Sequence, residues 1–281
     1  MIHSSRDVER YLTAIGDRDV LKDTNGKVIS AMSTTQIWFW IGFSGMTIGA
    51  IIFGSKAIAT RRRKGMEFHL ESFFICLTAA TLYLTLATNL TVINFKGESI
   101  FLGRYIDWSI TTPLLLIELG VLAGLRPKLI VGAVLADIYM ILTGLIANLE
   151  AAPTSFLWWV ISTGALIALV AALLTEFTNS AARRSVKVNN LFKKMRNILL
   201  VLWVAYPIIW LFGTEGFAWI PTGIETVLYT IVDLFAKVGF GLILTSADPQ
   251  TLADASNPSN LRETAESYMA SANQERSSHR Y

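Results

Sequence analysis

The sequence predicts an all-α membrane protein that folds as a bundle of seven transmembrane helices. Hydrophobic residues make up 53% of the 281 residues and charged residues only 16%, a composition too apolar for an ordinary soluble domain. A helix that crosses a bilayer core about 30 Å thick needs about 20 mainly apolar residues. Seven such stretches follow one another along the chain, at residues 35–59, 68–94, 101–124, 128–149, 155–178, 195–213 and 221–246.

The segments that flank the seven spans differ from them in composition. Residues 1–33 mix acidic and basic side chains and lack an apolar stretch after a basic start, which argues against a cleaved secretory signal. After the last span Ser, Asn, Glu and Arg dominate, a composition typical of disordered tails. The sequence therefore predicts an extracellular N-terminal segment at 1–33, a seven-helix domain at 34–247 and a disordered cytoplasmic tail at 248–281.

Basic residues in the short loops predict how the bundle is oriented in the cell membrane. They cluster after the first, third and fifth spans, as Arg61, Arg62, Arg63, Lys64, Arg126, Lys128, Arg183, Arg184, Lys187, Lys193, Lys194 and Arg196. Loops rich in Lys and Arg stay in the cytoplasm, so the N-terminus is expected outside and the C-terminus inside. This asymmetry accounts for the net charge of +3, and membrane lipid rather than nucleic acid is the expected surrounding partner.

Ionisable residues within the spans are functional candidates, because a charge at the bilayer centre costs about 3 kcal/mol even on lenient scales. The third span places Arg104, Asp107, Thr111 and Glu118 at helical spacing on one face. Asp107 and Glu118 are separated by about 16 Å along the axis, at 1.5 Å per residue. One face of this helix therefore carries carboxyl groups at two depths, although a structural ion pair would leave the same pattern.

Lys237 lies four residues after Asp233 in the otherwise apolar seventh span. Burial disfavours an ammonium ion, so either counterions hold the charge or the amine is used chemically, most naturally as a Schiff base to an aldehyde. Asp107 and Asp233 could both stabilise such a protonated group. A lysine that only neutralises two aspartates is the alternative.

Aromatic residues in the sixth span favour the chemical use of Lys237. Trp203, Tyr206 and Trp210 share one helix face, with Pro207 beside them. Aromatic stripes are commonly core or interface belts, but on the face that meets Lys237 these rings could form a slot for a flat, conjugated ligand.

Five motifs in order resemble helices of the microbial rhodopsins: RYIDWSITTPLLLIE, ADIYMILTG, WWVIST, LWVAYPIIW and VDLFAKVGFG. The resemblance extends over roughly residues 35–246 and implies all-trans retinal bound covalently to Lys237. It implies that Asp107 is the primary counterion and proton acceptor, with Thr111 hydrogen-bonded to it, and that Asp233 is the second counterion. The implied cofactor-binding residues are Trp108, Thr112, Asp137, Met140, Gly144, Trp159, Ser162, Thr163, Trp203, Tyr206, Pro207 and Trp210.

Within this family the residues at Asp107, Thr111 and Glu118 distinguish the functions, and Asp, Thr and Glu resemble the outward proton pumps of the proteorhodopsin type. The resemblance implies that Glu118 is the proton donor, Arg104 a gate, and Glu215 with Glu225 a proton-release pair. A light-driven ion transporter rather than an enzyme is therefore expected, with protons as its cargo.

Two other functions stay open within the family, namely a sensory photoreceptor that signals through a partner and a light-gated cation channel. The resemblance also implies a homo-oligomer without selecting its number of subunits. We expect no carotenoid antenna, because Trp159 takes the place of the glycine found in rhodopsins that carry one.

Overall fold

The computed structural model describes residues 20–22, 28–30, 32–95 and 98–257, which leaves most of the predicted N-terminal segment outside the described residues. Seven of its helices are long and apolar enough to cross a membrane, which confirms the predicted fold class. They are α1 (Thr34–Thr60), α2 (Met66–Ala87), α3 (Leu102–Ala123), α4 (Pro127–Leu149), α5 (Thr154–Ala181), α6 (Val186–Phe212) and α7 (Thr222–Thr245). A short helix, α8 (Pro249–Ala255), follows α7. Two antiparallel hairpins pair β1 (Val20–Lys22) with β2 (Val28–Ser30) and β3 (Val92–Phe95) with β4 (Glu98–Phe101).

Local signals in the sequence account for several helix ends. Ser33 caps α1, since its hydroxyl oxygen accepts from the backbone N–H of Gln36 at 3.2 Å. The helix α3 ends at Gly124, whose φ of 64° lies in the left-handed region that glycine adopts without steric cost. Pro127 occupies the first turn of α4, where its missing N–H leaves no bond unmade.

Two predicted spans have different bounds in the structure. The second was predicted to reach residue 94 but ends at Ala87, because Asn89 turns the chain with a φ of 59° and Val92–Phe95 pairs as a strand. The sixth begins at Val186 rather than residue 195, since Ser185 caps it and the helix continues through Lys193 and Lys194. These lysines lie exposed between buried core positions, so a basic stretch assigned to a loop is an amphipathic helical extension.

The predicted disorder from residue 248 onwards is wrong for residues 249–255, which form α8. Leu252 and Ala255 are buried. The buried Arg184 side chain donates to the backbone carbonyl oxygens of Asp254 at 2.8 Å and of Ala255, two of the carbonyl groups at the end of α8. Tertiary packing thus stabilises a helix whose composition is typical of a tail, and the residues after 257 lie outside the described part.

The bundle has two ends that differ in their attachments. We call the end that carries β3 and β4 the hairpin end, and the opposite end, at which α7 leads into α8, the α8 end. Helix α3 runs between them through the centre, with 67% of its most apolar stretch buried, the largest share among the seven spans. Helix α7 widens into a π-helical turn at Phe235–Gly239, and such rare turns are frequent at functional sites. Lys237 lies in this turn.

Candidate functional site

Lys237 lies at the centre of the bundle between the two predicted carboxylates. Its amine nitrogen Nζ is 2.9 Å from Asp107 Oδ2 and 2.9 Å from Asp233 Oδ1, and each of the three residues is at most 2% exposed. Two negative charges around one positive charge leave the buried group with a net negative charge. Such a cluster is stable only where further donors satisfy the carboxylates.

Those donors are distributed unequally between the two aspartates. Asp233 accepts hydrogen bonds from Tyr83 at 2.8 Å, Tyr206 at 2.5 Å and the Trp108 indole N–H at 3.2 Å. Among the described residues, the Asp107 carboxylate contacts Lys237 and the Thr111 hydroxyl lies close to it, but no other side chain makes a well-formed hydrogen bond to it. Thr111 was expected to bond to Asp107 and does so at the backbone carbonyl oxygen, at 2.9 Å, which uses its only hydroxyl proton.

An aromatic cavity adjoins this charged cluster. Its lining includes every residue that the family resemblance placed around a chromophore except Asp137 and Lys237: Trp108, Thr112, Met140, Gly144, Trp159, Ser162, Thr163, Trp203, Tyr206, Pro207 and Trp210. Trp159 and Trp210 stack at a centroid distance of 6.2 Å, and the Trp159 indole N–H donates to the backbone oxygen of Pro207 at 3.2 Å. The shape and apolar lining suit a flat hydrocarbon.

The cavity reaches the charged cluster through two shared wall residues. Trp108 and Tyr206 both line it and both donate to Asp233, which contacts the Lys237 amine, whereas Lys237 is not itself among the residues that line the cavity. An apolar aromatic slot that adjoins a cluster containing a buried amine suits retinal, whose polar aldehyde group is confined to one end. Asp137 lies outside the lining, and it contacts the cavity through Thr112, whose hydroxyl donates to its carboxyl at 2.6 Å.

Glu118 lies towards the α8 end of α3, where the carboxyl group of Glu71 on α2 is close enough to interact with it electrostatically. Glu118 is fully buried, and its Oε1 accepts a hydrogen bond from Ser72 at 3.1 Å. Its Oε2 has no hydrogen-bond partner among the described residues. The neighbouring core is apolar, with Leu115, Leu119 and Phe240 in one buried cluster. Among the described residues, this buried carboxyl group therefore has Ser72 as its hydrogen-bond donor and Glu71 as an ionisable neighbour.

Arg104 lies on the other side of Asp107, towards the hairpin end. Its guanidinium group donates to Thr226 at 2.8 Å and to Glu225 at 3.5 Å, so it faces away from Lys237. The rings of Phe101 and Tyr229 lie 4.6 and 4.8 Å from the guanidinium carbon. Cation–π contacts of this kind hold a buried arginine without neutralising it.

Glu225 and Glu215 meet beyond Arg104. Glu225 Oε2 accepts from the Thr214 backbone N–H at 3.0 Å and from the Thr214 hydroxyl at 2.8 Å. Gly213 makes room for this carboxylate, since a Cβ there would lie 2.8 Å from Glu225 Oε2. Burial and then the neighbouring Glu225 carboxylate raise the pKa of Glu215 to about 8. The two predicted carboxyl groups therefore form one electrostatic unit outside the central cluster.

The sequence alone did not point to several residues of this site. Tyr83, Tyr229 and Ser72 supply hydrogen bonds or ring contacts to predicted residues from other helices, and Tyr105 lines the cavity. Tyr83 and Asp233 are 150 positions apart, so no local spacing links them. A polar or hydroxyl group in an apolar span was the only signal available for each of them.

A seven-helix membrane bundle with a buried lysine between two aspartates, beside an aromatic cavity, defines the class of microbial rhodopsins. The chain belongs to the bacteriorhodopsin-like protein family, whose model matches residues 33–249. The family consists of light-driven ion transporters, not enzymes, and implies a retinal chromophore on a lysine. The seven spans and these relatives together indicate a multi-pass protein of the cell membrane.

Individual relatives match over most of their length. Bacteriorhodopsin from Haloterrigena sp. (strain arg-4) is 42% identical over 215 residues, which cover 74% of this chain and 86% of the relative. A crystal structure of cyanorhodopsin from the cyanobacterium Tolypothrix sp. NIES-4075 is 63% identical, with a TM-score of 0.79, over 81% of this chain and 100% of that one. Thermophilic rhodopsin from Rubrobacter xylanophilus is 37% identical, with a TM-score of 0.75, over 79% of this chain and 99% of that one.

Proposed function

We propose that the chain is a light-driven outward proton pump, with its N-terminus outside the cell and its C-terminus in the cytoplasm. The observation that carries the proposal is the order of proton-binding groups along the bundle. Glu118 lies on the α8 side of Lys237, Asp107 and Asp233 contact Lys237, and Glu225 with Glu215 lies on the hairpin side. In the proposed orientation this order leads from the cytoplasm to the outside.

The residues around the cavity would hold all-trans retinal, with its aldehyde carbon joined to Lys237 Nζ. Trp159, Trp203 and Trp210 supply flat apolar surfaces, while Trp108 and Tyr206 separate the slot from Asp233. When bound, retinal supplies the absorption of visible light and a change of shape that alters the surroundings of Lys237 Nζ.

The chain's own residues favour Asp107 as the group that takes the proton from Lys237 Nζ. Asp233 keeps three hydrogen-bond donors, which stabilise its ionised form. Asp107 lies equally close to Lys237, at 2.9 Å, but its carboxylate has no comparable donors among the described residues. Proton transfer to Asp107 Oδ2 therefore costs less than transfer to Asp233.

A proton on Asp107 removes a negative charge that lies about one helical turn from Arg104 on α3. Arg104 is then drawn more towards Glu225 and Glu215, and a shift of its guanidinium group towards this pair favours the ionised form of its carboxyl groups. Such a change lets the pair lose a proton to the outside, as in other coupled carboxyl pairs.

Glu118 then returns a proton to Lys237 Nζ. It lies about 16 Å from Asp107 along α3, on the same helix face. Full burial and a single hydrogen bond, from Ser72, suit a carboxyl group that stores a proton until water reaches it. This donor and the pair at the hairpin end support a pump over a sensory photoreceptor or a channel.

Illumination of cells that express the chain with added retinal tests the proposal. We expect the external medium to acidify in the light, and a protonophore to abolish the change. Recordings under voltage clamp should give outward photocurrents at all moderate voltages. No acidification with a slow photocycle would indicate a sensor, and photocurrents that reverse sign with voltage would indicate a channel.

A further inference from the structure

Asn148, near the end of α4 at the hairpin end, contacts two parts of the site that lie on separate segments of the chain. Its side-chain nitrogen Nδ2 donates to the Tyr105 hydroxyl oxygen at 3.1 Å and to Glu215 Oε1 at 3.2 Å. An amide NH₂ group carries two N–H donors, so it can make both bonds at once. Glu215 lies in the α6–α7 connection and Tyr105 on α3, and Asn148 thus bridges a loop and the central helix.

The Tyr105 end of this bridge belongs to the wall of the chromophore cavity. Tyr105 lines the cavity and packs edge-on against Trp108, with a centroid distance of 5.3 Å. Trp108 in turn donates to Asp233, one of the two partners of Lys237. A chain of direct contacts therefore runs from the Lys237 cluster through Trp108 and Tyr105 to Asn148, on a route that does not pass through Arg104.

We propose that Asn148 is a positioning residue of the proton exit, which holds Glu215 beside Glu225 and ties it to the wall of the chromophore cavity. The inference rests on the proposed function in treating Glu215 as an exit group. A neutral amide suits this role, because it donates a hydrogen bond to the carboxylate without adding a positive charge. Such a charge would favour loss of the proton from Glu215 and Glu225.

The other charged and titratable groups around Glu215 come from the helices packed against it. Glu225 and Tyr229 face it from α7, and Arg104 and Tyr105 face it from α3. With these groups in place, the pKa of Glu215 is raised to about 8. The carboxyl group is therefore protonated at pH 7 and loses its proton as the pH rises through about 8.

Removal of the Asn148 amide should move this titration upwards. A hydrogen bond donated to a carboxylate favours the ionised form, so its loss favours the protonated acid. In Asn148→Leu, which keeps the approximate side-chain volume, we expect the titration midpoint of Glu215 to rise by about one pH unit. Asn148→Gln keeps both N–H donors and should bring the midpoint back towards that of the parent protein.

The midpoint is measured on the retinal-loaded protein in the dark, from the infrared carboxyl band that Glu215→Gln removes. An unchanged absorption maximum identifies folded variants. An unshifted midpoint in Asn148→Leu would overturn the inference, and so would equal shifts in the Leu and Gln variants, which would indicate a packing effect. A pH-indicator dye then follows proton release after a flash. A shifted titration without any flash-induced release in the parent protein would contradict the proposed pump while leaving the role of Asn148 intact.

Discussion

The two halves of the bundle on either side of Lys237 differ in the polarity of the side chains around their carboxyl groups. Towards the hairpin end, polar groups contact one another from Arg104 through Glu225 and Thr214 to Glu215. Towards the α8 end, Glu118 has Ser72 as its hydrogen-bond donor and Glu71 as an ionisable neighbour, beside a core of leucine and phenylalanine side chains. Both halves contain carboxyl groups, so their difference lies in how these groups are connected.

This difference has a consequence for the direction of transport. A connected polar network can pass charge through small rearrangements, because each group already has a partner. A buried carboxyl group with few polar neighbours exchanges protons more readily when packing opens and water enters. In the proposed pump, the half that releases the proton is therefore already connected while the half that supplies it is closed, and we infer that this asymmetry prevents a proton from returning by the path it took.

Replacement of Lys237 should have the largest effect, since both halves meet at its amine. Lys237→Ala removes the only group in the central cluster that can bind an aldehyde covalently, so we expect a colourless, inactive protein. Absorption spectra after addition of all-trans retinal measure this directly. Lys56→Ala is a matched control, because Lys56 is bonded to Thr245 away from the cavity and its loss should leave the colour unchanged. Retained colour in Lys237→Ala would refute the assignment of the site.

Replacement of Glu118 tests the half of the bundle between Lys237 and the α8 end. Glu118→Gln keeps the shape and the contact with Ser72 but removes the stored proton, and loss of a positioned proton donor typically slows transfer by about 10² or more. Flash spectroscopy should show slow decay of the state in which Lys237 Nζ lacks its proton, and added azide should accelerate it. Fast proton release at the hairpin end should persist in the same variant. Decay at the parental rate would exclude Glu118 as the donor.

Some parts of this architecture can be predicted from the sequence, and others cannot. The seven spans follow from hydropathy, the pairing of Lys237 with Asp233 follows from their i,i+4 spacing, and the cost of burying a charge predicts that Lys237 needs counterions. These properties act on single side chains or on neighbours along one helix. They can therefore be predicted before the helices are packed together. The contact of Lys237 with Asp107, on another helix, does not follow from spacing and was implied by the family resemblance.

Contacts between distant segments are the part that the sequence could not predict. The bond from Tyr83 to Asp233 depends on which face of α2 meets α7, and the bridge at Asn148 depends on where the α6–α7 connection returns. Helix α8 is a similar case, because Arg184 and the packing of Leu252 stabilise a segment whose composition predicts disorder. The relative orientation of helices determines all three features, and no local pattern encodes it.

A change in the contacts of helix α8 has the smallest expected effect. It tests how the α8 end of the bundle is closed to water. The side chain of Arg184 lies against Gly124 in the α3–α4 loop and holds the end of α8, while Leu252 lies against Gly65 in the α1–α2 loop. These contacts connect the loops at this end, and we expect water to reach Glu118 more easily when the loops separate. Arg184→Gln should weaken these ties by about 1 kcal/mol, a few-fold in rate, because it loses charge-assisted bonds to backbone carbonyls.

We therefore expect proton uptake to become a few-fold faster in Arg184→Gln, a change opposite in sign to that of Glu118→Gln. Release kinetics and the absorption maximum should not change, since Arg184 lies at the far end from Glu215 and Glu225. Lys187→Gln is the matched control: Lys187 and Asp248 are 3.8 Å apart but 75% and 52% exposed, and such surface pairs contribute little. Uptake at the parental rate in Arg184→Gln would show that the apolar core around Glu118, rather than the tied loops, limits the entry of water.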